Sequence, residues 1–244
     1  MPTETGHIQN LASFEALISF NTSYGATYSP SKTTLKLANL KTLLTDAQAA
    51  LSNCAKKQTE NDNAIDIRRD TFNALKPLST RIVNALTVSG VPDSVIEGAK
   101  TINRKIQGTR AKAIPKKSEK SDTPLDPNAP KNISAAQSGI NELIEHLNNL
   151  IELAGSHTEY NPSETDLKLT ALKTYLKQLK TVNTNAINTQ TAYKSSLVTR
   201  DKLLYKPNTG LVDIAIDSKN YIKSVFGANS PEYAQVRSLK FRNR

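Results

Sequence analysis

The sequence predicts an all-α protein made of two tandem antiparallel bundles of three to four helices, related by internal duplication. Three observations predict it. A fourteen-residue string opening at Tyr28 (Tyr-Ser-Pro-Ser-Lys-Thr-Thr-Leu-Lys-Leu-Ala-Asn-Leu-Lys) returns at Tyr160 as Tyr-Asn-Pro-Ser-Glu-Thr-Asp-Leu-Lys-Leu-Thr-Ala-Leu-Lys, with nine positions identical. A spacing of about 130 residues is too long for a solenoid unit and has the size of a domain. Each string then leads into a long stretch with apolar residues at alternating spacings of four and three, free of Gly and Pro. Finally, only 37% of residues are hydrophobic and Trp is absent. That composition suits helices that each bury one stripe.

The elements follow in order. A first helix is expected at about Ile8 to Phe20, and its counterpart at about Ile133 to Ala154. Each runs into a loop that ends in the repeated signature Tyr28, Pro30, Ser31 or Tyr160, Pro162, Ser163. Ser31 and Ser163 stand where helix N-caps belong, each after a proline. The two tyrosines are expected to pack their rings under the turn.

The second helix is the spine. In the first half Leu40, Leu44, Ala47, Leu51 and Cys54 form an a/d seam. Its frame continues through Gln58, Asn61, Ile65, Arg68, Phe72 and Leu75. The second half runs Leu172, Leu176, Leu179, Asn183, Ala186, Gln190, Tyr193, Leu197, Arg200 and Leu204. A helix of roughly 45 residues is about 65 Å long. The polar seam positions are expected to be solvated where the spine outruns its partners. Arg69-Asp70 and Arg200-Asp201, just before the Lys-Pro corners, are expected to form ion pairs that tie those corners.

Lys76-Pro77 and Lys206-Pro207 end the spines. A third helix is expected to follow and to stop at Gly90 or Gly227. The second version is seven residues longer between Pro and Gly, which reads as one inserted heptad. Pro92 and Pro231 are expected to start a short fourth helix at its first position. Residues 111–132 carry four prolines and alternating charge, and read as a linker. The expected domains are therefore residues 1–110 and residues 133–244, each folding by itself.

Few chemical constellations emerge. Cys54 is the only cysteine, so neither an intramolecular disulfide nor a thiolate metal cluster can form. His7, His146 and His157 lack metal-ligand spacing. No nucleophile elbow or Gly-rich phosphate loop is present. Hence no catalytic, cofactor-binding or metal residues are assigned, and no cofactor is expected. The N-terminal residues do not read as a signal peptide, and no apolar run is long enough to span a bilayer, so a cytoplasmic protein without membrane attachment is expected.

The net charge is +10, spread along the chain, and only the last residues concentrate it in Arg237, Lys240, Arg242 and Arg244. Those four are candidate polyanion contacts. The reading that best suits the whole is a non-enzymatic interaction or scaffold protein with a protein partner. The alternative is a basic accessory protein that binds nucleic acid non-specifically. Tyr-x-Pro followed by leucines about five and ten residues on, in a duplicated helical chain, resembles uncharacterised helical-bundle proteins of the Bacteroidota. That resemblance implies helical structure over both halves and no particular activity.

Overall fold

The computed structural model describes residues 4–109 and 139–243, and all regular structure among them is helical. The predicted linker, residues 111–132, lies outside these residues, as do Arg244 and the first residues of the helix expected from Ile133. In chain order the helices are α1 (Glu4–Ser23), α2 (Leu37–Asn73), α3 (Leu75–Val88), α4 (Asp93–Gln107), α5 (Ile140–Gly155), α6 (Leu169–Tyr205), α7 (Leu211–Phe226) and α8 (Pro231–Arg237). Short 3-10 turns occupy Gly25–Thr27, Thr33–Leu35 and Thr165–Leu167.

The spines α2 and α6 have 37 residues each, about 55 Å at 1.5 Å per residue. They are shorter than expected at their N-terminal ends. Ser31 and Ser163 do not cap them. The chain instead makes a 3-10 turn and then an extended residue, Lys36 or Lys168, with ψ of 138° and 142°. Extended backbone at that residue means the helix can begin only at Leu37 or Leu169.

The C-terminal ends obey proline chemistry, but differently. Pro77 has no N–H to give the carbonyl of Asn73, and its ring crowds that carbonyl. Asn73 is accordingly the last residue of α2. After Ala74 alone the chain re-enters helix, with Pro77 in the first turn of α3, where its missing donor costs nothing. The other corner uses residues 206–210. There Asn208 takes φ 63°, and its N–H donates to Asp213 Oδ2 at 2.8 Å. Gly210 is needed because a Cβ would lie 2.6 Å from the Lys206 nitrogen and 2.9 Å from the Leu204 carbonyl oxygen. The extra residues thus lengthen mainly this corner; α7 has 16 residues against 14 in α3, so no heptad is inserted. Nor is the fourth helix short in both halves, since α4 has 15 residues and α8 has 7. Pro92 caps α4 from outside, whereas Pro231 is the first residue of α8 behind a Ser230 cap.

The compact units do not follow the predicted halves. One unit comprises Met1–Asp62 and Asn188–Arg244; the other comprises Asn63–Ile187. In the first, Phe14, Leu17 and Leu40 share a core with Leu204, Leu211, Ile222 and Val236. In the second, Leu75, Ile82, Leu86 and Ile106 share a core with Leu147, Leu150, Leu172 and Leu179. Each core is built from both halves of the sequence.

Most a/d seam positions are buried as expected, including Leu40, Ala47, Cys54, Leu172, Leu176, Leu179 and Ala186. The polar seam divides. Gln58 and Gln190 are solvated, but Asn61, Asn183 and Arg200 are each only 7% exposed. Burial of that kind demands partners. Asn183 accepts a bond from Arg68 Nη1 at 3.3 Å and donates to Asn141 Oδ1 at 2.9 Å.

Candidate functional site

The repeated tyrosines build two matching corners. In the first unit the Tyr28 hydroxyl donates to the Leu35 carbonyl at 2.9 Å. In the second, the Tyr160 hydroxyl donates to the Leu167 carbonyl, also at 2.9 Å. Each ring is buried, at 6% and 5% exposed. The signature is therefore a hook: the tyrosine spans the 3-10 turn and satisfies a carbonyl just ahead of the spine. The expected burial of the ring is present, and the hydroxyl bond is an addition that ring packing alone does not supply. Burial, reinforced by the carboxylates of Glu164 and Asp166, pushes the Tyr160 phenol up to about 12. Burial likewise raises Tyr28.

What stands over each hook differs. Counted from their first residues, Leu75 and Leu211, α3 and α7 place Arg81 opposite Asp217 in register, Ile82 opposite Ser218, and Ala85 opposite Tyr221. In the first unit the Tyr221 ring packs edge-on against Tyr28, with centroids 5.3 Å apart. The Tyr221 hydroxyl accepts from the Ser29 N–H at 3.2 Å. Ser218 lies 3.1 Å from the Tyr28 hydroxyl and accepts from Asn21 at 2.9 Å. Pro30 is buried.

In the second unit Ala85 supplies no ring. The space over the hook is an open cleft of about 550 Å³. Its apolar surface comes from Ala85, Val88, Tyr160, Pro162 and Leu167; Arg81, Asn84, Glu159, Asn161 and Glu164 supply polar groups. Pro162 is only half-buried, and Val88 is 85% exposed at the cleft's edge. Arg81 is not free to meet a ligand head-on, because its guanidinium grips both oxygens of Asp166. That bond holds the Asp166 carboxyl below its usual range. The Asn161 N–H is also occupied, by the Glu159 carbonyl at 2.9 Å.

The other predicted residues lie elsewhere. Arg69 and Asp70 are exposed in the second unit, where Arg69 pairs with Asp66 at 2.9 Å and lies 3.7 Å from Asp70. Arg200 and Asp201 belong to the first unit and form a largely buried pair at 2.9 Å. The two pairs are one residue out of register. With both spines 37 residues long, the counterpart of Arg200 is Arg68. The expected pair of equivalent corner bridges is therefore corrected to one buried bridge and one exposed contact. Ser31 and Ser163 are exposed. Arg237, Lys240 and Arg242 are exposed near a tail strapped to α1, where the Arg242 backbone exchanges two hydrogen bonds with Asn10 at 2.8 and 2.9 Å.

Among the described residues no group of three or more His, Cys, Asp and Glu is placed to hold a metal ion, and no helix is long and apolar enough to cross a membrane. His7 is buried against Tyr205, with Nδ1 2.6 Å from its hydroxyl. Cys54 is buried on the seam. The cleft was missed by the sequence reading, because the register that sets Tyr221 opposite Ala85 follows from where α3 and α7 begin in the structure and not from the repeated strings. Comparison of the chain with protein-family models, curated proteins and solved structures gave no match.

Proposed function

We propose that this chain is a non-enzymatic protein-binding module, an internally duplicated pair of helical bundles whose halves exchange helices. The observation that carries the binding role is the open cleft over Tyr160. It combines an apolar surface with a polar rim on a loop pinned by the Tyr160 hook and the Arg81–Asp166 bond. Concave apolar surfaces with a few placed polar groups are the usual form of a recognition site. Its surroundings are prebuilt, so little ordering cost accompanies binding.

Site-specific photo-crosslinking tests this. A crosslinker at Asn84, on the cleft, is expected to capture a defined protein that a crosslinker at exposed Lys41 does not. Equal patterns from both positions would refute the reading.

A second reading, non-specific binding of nucleic acid, draws support from the tail. Leu239 and Phe241 pack against the first unit's core while Lys240 and Arg242 are exposed. A steep loss of polyanion binding between low and moderate salt would favour it. The same salt series on a chain truncated after Ser238 would assign the effect to the tail.

A further inference from the structure

We infer that the cleft over Tyr160 receives an aromatic side chain, flanked by a positive charge, from a protein partner; this rests on the binding role proposed above. The molecule itself displays the fit. At the equivalent position of the first unit, a phenol ring lies edge-on against the hook tyrosine at 5.3 Å between centroids. In the second unit the same hook is present and the ring is replaced by the methyl group of Ala85. What lies beside this hook is the open cleft of about 550 Å³, whose lining includes Ala85, Val88, Pro162 and Tyr160. Edge-to-face packing against Tyr160 is the arrangement that aromatic pairs favour.

The charge preference comes from the rim. Glu159 and Glu164 border the cleft, and the one guanidinium there is already held by Asp166. An incoming cation meets carboxylates, whereas an incoming anion meets them and, among the described lining residues, only a cation already paired. The ring's own substituent matters less. In the first unit Ser29 N–H donates to the Tyr221 hydroxyl, but its counterpart Asn161 N–H is spent on Glu159. Phenylalanine should therefore serve as well as tyrosine.

The full chain is titrated with phenylalaninamide, a cationic probe, and with N-acetylphenylalanine, an anionic one, and amide shifts are followed by NMR. Phenylalaninamide should move the amides of Ala85, Val88 and Asn161 with a dissociation constant on the order of 1 mM, as expected for so small a ligand. N-acetylphenylalanine should bind at least about threefold more weakly, the size expected for solvent-exposed charge contacts. Ala85→Tyr restores the ring that the first unit carries and should abolish the shifts. Val88→Arg, at an exposed position that folding does not depend on, should weaken the cationic probe selectively. Shifts that persist unchanged in both variants, or equal binding of the two probes, would overturn the inference. So would capture of the partner from Asn84 that Ala85→Tyr leaves intact, although the binding role itself would then stand. Loss of all partner capture in the unaltered chain would sink the binding role instead.

Discussion

The two hook corners share a backbone and differ in what covers them. Over Tyr28 the chain supplies Tyr221 and a buried polar trio of Asn21, Ser218 and the Tyr28 hydroxyl. Over Tyr160 it supplies Ala85 and leaves a cleft. The bonds that make the hook, from each tyrosine to the leucine carbonyl seven residues on, are the same length. Conformation of the loop is thus set locally, by Tyr, Pro and the 3-10 turn. Occupancy is set by one position on a distant helix. A fold can keep a corner and vary its use with a single side chain.

Both corners also join sequence that lies far apart. The hook of Tyr28 meets α7, and the hook of Tyr160 meets α3. The largest expected effect comes from separating these partners. Residues 1–110 and residues 133–244, expressed alone, should each be poorly folded, because each carries only part of two cores. Mixed, they should recover helical circular dichroism and elute as a one-to-one complex. Cooperative melting of either fragment alone would show that the compact units are not needed for folding.

A core comparison comes next. Leu44 and Leu176 occupy equivalent spine positions, but Leu176 is 7% exposed and Leu44 is only partly buried. Leu176→Ala should cost about 2–5 kcal/mol, the range for a buried leucine, and Leu44→Ala should cost less. Chemical denaturation of the two variants measures the difference. Equal losses would mean that the first unit buries its spine as deeply as the second.

How much of this was legible depends on distance along the chain. The helices, the proline corners and the seam follow from local rules, and Pro77 even fixes the last residue of α2. The Tyr-Pro signature marked the hooks, but a repeat found by matching strings suggests that each copy packs on itself. Nothing local tells Leu40 whether its partners come from Leu86 or Ile222. The register of Arg68 with Arg200 was hidden by a similar Arg-Asp pair one residue away. The cleft required knowing that α7 covers the first hook and α3 the second, which is long-range information.

The hydroxyls of the two hooks provide the third comparison. Tyr28 and Tyr160 each give one bond to a carbonyl, and Tyr28 also contacts Ser218. Tyr28→Phe should therefore cost more than Tyr160→Phe, with each in the region of 1 kcal/mol for a buried hydrogen bond. High pH asks the same question without mutation. Burial, with the nearby carboxylates of Glu164 and Asp166, pushes the Tyr160 phenol up to about 12, from about 10 for a free tyrosine. Tyr175, whose hydroxyl donates to the Thr71 carbonyl at 2.7 Å, is also raised to about 12 by burial. Groups that resist ionisation when folded contribute stability below pH 10, and that contribution is lost as pH rises toward 12. Denaturation midpoints should fall across that window and fall less in Tyr160→Phe. A midpoint that is flat from pH 10 to 12 would contradict the burial.

The smallest effect tests what directs each hook to its helix. Lys32, beside the first hook, pairs with Asp217 of α7 at 2.5 Å. Beside the second hook the charges are inverted, since Asp166 pairs with Arg81 of α3. Arg81 and Asp217 are in-register counterparts. If each hook met the helix of its own half, Lys32 would face Arg81 and Asp166 would face Asp217. Both contacts would then be repulsive, so the inversion favours the observed exchange and penalises its alternative. These pairs are solvent-exposed, and single exposed pairs carry little energy. Lys32→Glu in the 1–110 fragment should weaken its association with 133–244 by no more than about fivefold, and the loss should shrink at high salt. Asp217→Lys in the other fragment should restore the association, because the pair is rebuilt with its charges reversed. Calorimetry on the four combinations measures the coupling directly. If Asp217→Lys fails to rescue Lys32→Glu, the charge inversion plays no part in choosing which helix covers which hook.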